Sequence, residues 1–384
     1  MSLQEMVKDL ADAFRGTTYG QWMKKEGLPV LEGFGYGDVR KIPLAPWPRL
    51  GGKGAFIQLY GMIEGSRSLY VAEIPPGGAL EPEKHLYEEM ICILEGHGAT
   101  EIWQEGGRKQ MFEWGPWSLF SPPLNSWHRL VNGGKEPVKF IANTNAPLFM
   151  NAARDMDFIF NCPYVFSNRY NGEENYFAVG KNRYHRSSSY THVWETNFIP
   201  NVREAGLDEQ EIKGSGVNIT QFEISGNSLI GHLSEWPEGR YHKAHYHGPG
   251  ALLLGLESNG YALMWSKDLT SQPYTNGHGD MVMEMEWTVG SIYSPMDNWY
   301  HQHFNTGTRA ARHLAVRYGG ERGHADMTTS ARLRRGATMT SITEGGTLIN
   351  YENEDPEIRS RFETALKKAG VACQMPAVNR AEGR

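Results

Sequence analysis

The chain repeats itself, and that repetition limits its folds more than any other feature. Residues 81–132 contain EPEKHLYEEMICILEGHGATEIW and then FEWGPWSLFSPPLNSWHRLVN. Residues 243–305 contain KAHYHGPGALLLGLESNGYALMW and then MEWTVGSIYSPMDNWYHQHFN. An offset of 162 pairs Glu83 with His245, His85 with His247, Glu89 with Ala251, Glu95 with Glu257, Gly98 with Gly260 and Trp103 with Trp265. An offset of 173 then pairs Trp114 with Trp287, Ser121 with Ser294, Pro122 with Pro295, His128 with His301 and Asn132 with Asn305. The change of offset puts 11 extra residues in the second copy, within DLTSQPYTNGHGD, whose Pro, Asn and Gly mark a loop. Two ordered blocks of this kind identify a tandem duplication.

Each copy reads as strands. SLYVAEIP, MICILEG, SLFSPP, VKFIANTN, SLIGHLSEW and HLAVRYG are short, β-rich and bounded by Gly, Pro or Asn. Such spacing predicts an all-β chain with a sandwich or closed barrel in each copy. The predicted divisions are an N-terminal arm over 1–50, a first barrel over 51–150, a linker over 151–215, a second barrel over 216–320 and a C-terminal extension over 321–384. Helices are expected at the periphery, over 3–15, around Tyr19–Lys25, and over 355–369. In the last of these Asp355 caps, Pro356 sits early, Ile358, Phe362 and Leu366 share a face, and Gly370 stops the helix.

Composition narrows the function. The formal net charge is -6 with no basic stripe, which argues against nucleic acid and against an anionic membrane surface. No stretch approaches 18 apolar residues, and the Met1 end lacks the apolar centre of a signal peptide. Three scattered cysteines, Cys92, Cys162 and Cys373, fit a reducing compartment, so a cytoplasmic location is expected.

The chemistry lies in HYH. On a strand His245 and His247 point to one face, and a third ligand has to come from another strand, where His301 follows a Pro-containing turn. The order His-x-His, a Glu position, a Gly, then Gly, Pro and His resembles the two motifs of the cupin superfamily, and two copies in register resemble a bicupin, which implies tandem double-stranded β-helix (jelly-roll) barrels. The likeness covers most of residues 60–145 and 220–318. With Ala251 at the Glu position, the second copy resembles the gentisate and salicylate dioxygenase group, whose iron is held by three histidines. In that group the working metal lies in the first barrel, whereas this triad lies in the second, so no particular substrate carries over. The resemblance also implies a homo-oligomer.

Three neutral imidazoles leave a divalent ion its full charge and open positions for an anionic bidentate substrate and dioxygen. The expected activity is an Fe(II) dioxygenase that cleaves a C–C bond of an aromatic or enolisable small molecule, with Mn, Ni or Zn as other ions that imidazole suits. Two alternatives stand beside it: a lyase, decarboxylase or isomerase that uses the metal as a Lewis acid without dioxygen, and a non-catalytic binding barrel. In the first copy Glu83, His85, Glu89 and His128 form either a second metal set or a vestigial hydrogen-bonded cluster.

Further residues carry expectations. His303 shares a face with His301 and is expected as an acid or base beside the metal, as a competing third ligand, or as a satisfied core histidine. Tyr241, four residues before His245, is expected to point inward, to substrate or as barrel-end packing. Arg317 is expected either to clamp a substrate carboxylate or to lie on the surface. Trp265 and Trp299 are expected as pocket wall or core. Gln302 and Phe304 are expected to face outward into a sheet or subunit interface, and Arg183, Tyr184 and His185 to offer a lid contact.

Overall fold

The computed structural model describes residues 3–62, 67–178, 183–185, 193–248, 251–318 and 337–378. The first copy supplies β1 (Val30–Gly33), β2 (Gly35–Tyr36), β3 (Gly52–Leu59), β4 (Ser68–Ile74), β5 (Glu89–Glu95), β6 (Gly98–Trp103), β7 (Gln110–Trp114), β8 (Leu119–Phe120), β9 (Trp127–Val131) and β10 (Val138–Thr144). The second supplies β11 (Val193–Thr196), β12 (Phe198–Ile199), β13 (Asn218–Ile224), β14 (Leu229–Trp236), β15 (Leu252–Glu257), β16 (Asn259–Ser266), β17 (Met283–Thr288), β18 (Ile292–Tyr293), β19 (Trp299–Asn305) and β20 (Ala311–Tyr318).

The first barrel has a large sheet of order β1-β3-β4-β10-β5-β8-β12 and a small sheet of order β9-β6-β7. In the second barrel the orders are β11-β13-β14-β20-β15-β18-β2 and β19-β16-β17. Adding ten to each label converts one barrel into the other, with the end strand exchanged. Both are double-stranded β-helices, in tandem. The copies agree even in an irregularity: the ladder β10–β5 slips a residue between Ile93 and Glu95, and β20–β15 slips between Gly255 and Glu257. A bulge kept in both copies bends the same strand at the same place. Gly98 and Gly260 are kept for close approach, since a Cβ on either would run into a backbone carbonyl and the Trp114 or Trp287 ring.

The exchanged end strands change the role of the arm and the linker. β1 runs parallel to β3 in its own barrel, while β2 pairs with β18 of the other. In the same way β11 runs parallel to β13, and β12 crosses to β8. The arm over 1–50 and the linker over 151–215 are thus woven into both barrels. The runs VLEGFGY and VWETNFI hold two strands each, too short to give a period.

The large sheets are buried on both faces, which explains why β5 and β15 are almost continuously apolar. Ile91 and Ile93 point into the first barrel, while Met90, Cys92 and Leu94 pack with Phe222, Leu252, Leu254 and Leu314 between the barrels. Glu88, buried at this seam, accepts hydrogen bonds from the Ser228 and Leu229 backbone N–H groups and from Asn145 Nδ2.

Helices lie at the edges: α1 (Leu3–Arg15), α2 (Thr18–Glu26), α3 (Ala146–Ala153), α4 (Met156–Asn161) and α5 (Pro356–Ala369). Asp355 caps α5 by accepting from the Glu357 N–H, and Gly370 ends it with φ 71°. Ile358, Phe362 and Leu366 seat α5 against Tyr241, Tyr261 and Phe304 on the outer face of the small sheet. No described helix is long and apolar enough to cross a membrane.

Candidate metal centre

His301 sits on β19, and His245 pairs with it through backbone hydrogen bonds, His301 N–H to His245 O at 3.0 Å and His245 N–H to His301 O at 3.3 Å. His247 is fixed two residues on, where its carbonyl accepts from the Asn298 N–H at 3.2 Å. The rings converge, with centroids 4.5 Å apart for His245–His301 and 4.9 Å for His247–His301. One ligand atom from each lies within 4.8 Å of the others. Nδ1 of His245 donates to Lys243 O and Nδ1 of His301 to Trp299 O. Those bonds fix the tautomer that leaves Nε2 as a lone-pair donor. Burial, then neighbouring positive charge, holds His245 and His247 well below their ordinary values, and burial pulls His301 down to about 4. The rings are neutral at pH 7, as ligation requires. The donor set fits a divalent transition metal. Ala251 is 4% exposed and brings no carboxylate.

The first barrel repeats the construction. Glu83 pairs with His128 as His245 does with His301, at 3.0 and 2.9 Å. Glu83, His85, Glu89 and His128 likewise bring a ligand atom each within 4.8 Å. Nδ1 of His85 bonds Tyr87 O at 2.8 Å and Nδ1 of His128 bonds Ser126 O at 3.0 Å. His85 Nε2, His128 Nε2 and Glu89 Oε2 are buried without a hydrogen-bond partner, each nitrogen 3.9 Å from the Glu89 oxygen. Such a trio fits a cation, because buried polar atoms are otherwise satisfied. Burial and the Glu83 charge push Glu89 up to about 8, and Tyr70 donates to its other oxygen. Burial works against ionising Glu83, but Arg49, 2.6 Å away, outweighs it and holds the carboxyl below its usual range.

The remaining expected residues divide. Arg317, half-buried near the end of β20, lies close enough for its charge to depress His247, His232 and Lys213. His303 stands outside the triad, its Nδ1 bonded to the Tyr293 hydroxyl at 2.8 Å. Tyr241 does not point inward: its hydroxyl donates to Glu354 at 2.5 Å on the outer face, against Tyr351 and Phe362. The reason is one extra residue. Tyr241 bridges Phe304 and His245 bridges His301, so four steps on one chain oppose three on the other, and the side-chain alternation reverses. Trp265 is core, stacked on Tyr300 with its N–H on Thr270 O. Trp299 is half-buried and stacks on Phe34. Gln302 donates to Glu354, and Phe304 meets α5, so the C-terminal extension covers the outward face where a subunit interface was expected. The lid contact expected of Arg183, Tyr184 and His185 falls on side chains outside the described residues.

Sequence reasoning missed Lys213 and the C-terminal segment near the triad. Lys213 is 2% exposed and donates to Thr338 O at 2.6 Å. Burial, then Arg317, pulls its ammonium down to about 7, and its charge acts on all three ligand rings. Leu348 bridges His245, and the Ile349 N–H bonds Ala244 O. Nothing in EQEIKGSG marks Lys213 in the sequence.

No family model matches the chain, and no curated protein matches it. Solved structures of oxalate decarboxylase resemble it. Two variant forms from Bacillus subtilis are each 12% identical over 75% of this chain and 78% of theirs, with TM-scores of 0.47 and 0.48. A further oxalate decarboxylase structure is 12% identical over 74% of this chain and 77% of its own, with a TM-score of 0.47.

Proposed function

We propose that the chain is a metal-dependent enzyme acting on a small anionic molecule, with a divalent ion held by His245, His247 and His301. The observation that carries this reading is the convergence of three neutral imidazoles with no carboxylate among them. Such a set neutralises none of the ion's charge, and Lys213 and Arg317 add positive charge beside it. The leading activity is C–C cleavage of a hydroxylated aromatic or enolisable acid by an Fe(II) dioxygenase. When bound, iron supplies a Lewis-acid and redox centre where substrate and dioxygen meet. The chain's own part is to orient the imidazoles through the Lys243 and Trp299 carbonyls and to draw in an anion. Arg317 is the group suited to a substrate carboxylate. Glu83, His85, Glu89 and His128 would hold a second ion in the first barrel.

A second reading is favoured by one observation. A buried lysine near pH 7 beside the triad is poised to give and take a proton, which a lyase or decarboxylase without dioxygen would use. Anaerobic loading with Fe(II) or Mn(II), followed by oxygen uptake with hydroxybenzoic acids and 1,3-diketones, separates the two. Uptake with Fe(II) that His245→Ala abolishes supports the dioxygenase. Turnover of a carboxylic acid under nitrogen supports the lyase. A chain that takes up neither ion overturns both.

A further inference from the structure

The duplication supplies an internal control for the barrel interior. Strand register makes the equivalences explicit. Ile74 pairs with Val138 in the first barrel as Trp236 pairs with Ala311 in the second. The Leu80 N–H bonds Leu130 O as the His242 N–H bonds His303 O. Phe140 opposes Ala72 as His313 opposes Ser234, and Phe120 opposes Ile91 as Tyr293 opposes Leu253. At these positions the first barrel is filled with Ile74, Leu80, Phe120, Leu130 and Phe140, all in its apolar core. The second barrel has Trp236, His242, Tyr293, His303 and His313, each able to hydrogen-bond.

These side chains form one cluster. Trp236 lies 4.4 Å from His242 and 5.0 Å from His313 between ring centroids, and Trp287 lies 4.5 Å from His313. The Tyr293 hydroxyl reaches His303 Nδ1 at 2.8 Å and His313 Nδ1 at 3.3 Å. His303 is 5.7 Å from the ligand His301, so the cluster adjoins the triad. Four of its buried polar atoms have no hydrogen-bond partner: Trp236 Nε1, Trp287 Nε1, His242 Nε2 and His313 Nε2. The first barrel shows how such an atom is satisfied when nothing else is to meet it. There Trp114 Nε1 donates to Thr100 Oγ1 at 2.9 Å. The position equivalent to Thr100 is Ala262, opposite Met285 as Thr100 is opposite Phe112. The second barrel has thus exchanged apolar filling for hydrogen-bonding rings and has also removed the internal partner of one of them. Buried groups of this kind are retained when a polar partner completes them.

We infer that Trp236, His242, Trp287, Tyr293, His303 and His313 form a subsite for the carboxylate or similar acceptor oxygens of a small molecule whose other end faces the histidine triad. Tryptophan N–H groups only donate, which selects an acceptor-rich occupant. No Asp or Glu belongs to the cluster to repel it, and the nearby charge of Lys213 favours an anion. The inference rests on the proposed function only for the orientation of that molecule.

The test is titration calorimetry with oxalate and with salicylate, on metal-free and on Mn(II)-loaded protein. Two variants take residues that the first barrel already accommodates at the same positions. Ala262→Thr gives Trp287 the hydroxyl that Thr100 gives Trp114, and His313→Phe restores the apolar filling. Each is expected to weaken binding of a probe about tenfold, the size of one lost hydrogen bond to a charged acceptor, with Mn(II) content unchanged and the melting temperature equal or higher. Unchanged affinity in both variants, or no binding of either probe to the wild-type chain in either state, would overturn the subsite. A chain that takes up neither Fe(II) nor Mn(II) yet binds salicylate, and binds it about tenfold more weakly as Ala262→Thr, would sink the proposed function and support the subsite.

Discussion

Equivalent positions in the two barrels hold chemically different groups: Glu83 corresponds to His245 in the duplication, and Glu89 to Ala251. One centre therefore carries two carboxylates and two imidazoles, the other three imidazoles. Ligand removal should separate them. His301→Ala is expected to lower metal affinity at the second barrel by at least about 100-fold and to leave metal binding by the proposed first-barrel set unchanged. Glu89→Gln should do the reverse, and elemental analysis of each variant after dialysis reads both. Lys213 gives a prediction in pH. Its ordinary value is 10.5 and burial lowers it to about 7, so between those limits the unfolded chain binds the extra proton and stability rises with pH. Below pH 7 both states are charged and the full cost of burial is felt. Lys213→Met should therefore stabilise the metal-free protein most below pH 7, with the gap to wild type closing as pH approaches 10.5. Denaturant titrations of both proteins across that range measure it, and a gap that widens with pH would contradict the assignment. The clustering of His245, His247 and His301 was legible because they stand at matched offsets from Glu83, His85 and His128 of the first copy. Lys213 was not, because it reaches the site from a linker with no pattern of its own. His242 and His313 were half legible, since comparison with Leu80 and Phe140 marks them once the register is known.

At the level of elements, the C-terminal helix shows what local signals can carry. Asp355, Pro356, three apolar residues on one face and Gly370 place α5 to within one residue of the expected 355–369. What they do not reveal is its partner. α5 covers the outer face of the second small sheet, and Tyr241 belongs to that contact because a single extra residue between Tyr241 and His245 reverses the strand alternation. Periodicity read across an irregular segment fails at the bulge, even though both copies keep it: Ala79 bridges Val131 and Glu83 bridges His128 with the same mismatch of four against three. The Asp355 carboxylate also accepts from the Thr275 N–H and hydroxyl, so it pins the inserted loop of the second copy to the helix start. Asp355→Ala removes both functions. The expected loss is about 2 kcal/mol, with proteolytic nicking in the loop around Thr275 rising before global unfolding. Cleavage that stays unchanged while the stability falls would separate the cap from the pin.

For the whole molecule, the duplication has not produced two independent halves. Each barrel closes its large sheet with a strand from the segment preceding the other, β12 on β8 and β2 on β18. The outer faces of the two large sheets share one apolar core, and taking either barrel away would expose it. Across that seam Glu88, at the start of β5, gathers backbone N–H groups from the start of β14. These three connections bind the barrels in register as well as in contact, so neither can lose its packing without exposing the other's. Calorimetry is therefore expected to show one unfolding transition, with calorimetric and van't Hoff enthalpies in agreement. Glu88→Ala leaves the Ser228 and Leu229 N–H groups without their acceptor and should cost about 3 kcal/mol, moving the single transition down without splitting it. Mn(II) bound at either centre should raise that same transition, because an ion that binds only the folded chain stabilises everything that unfolds with its site. Two resolved transitions, one responding to His301→Ala and the other to Glu89→Gln, would show instead that the seam is weaker than the barrels it joins.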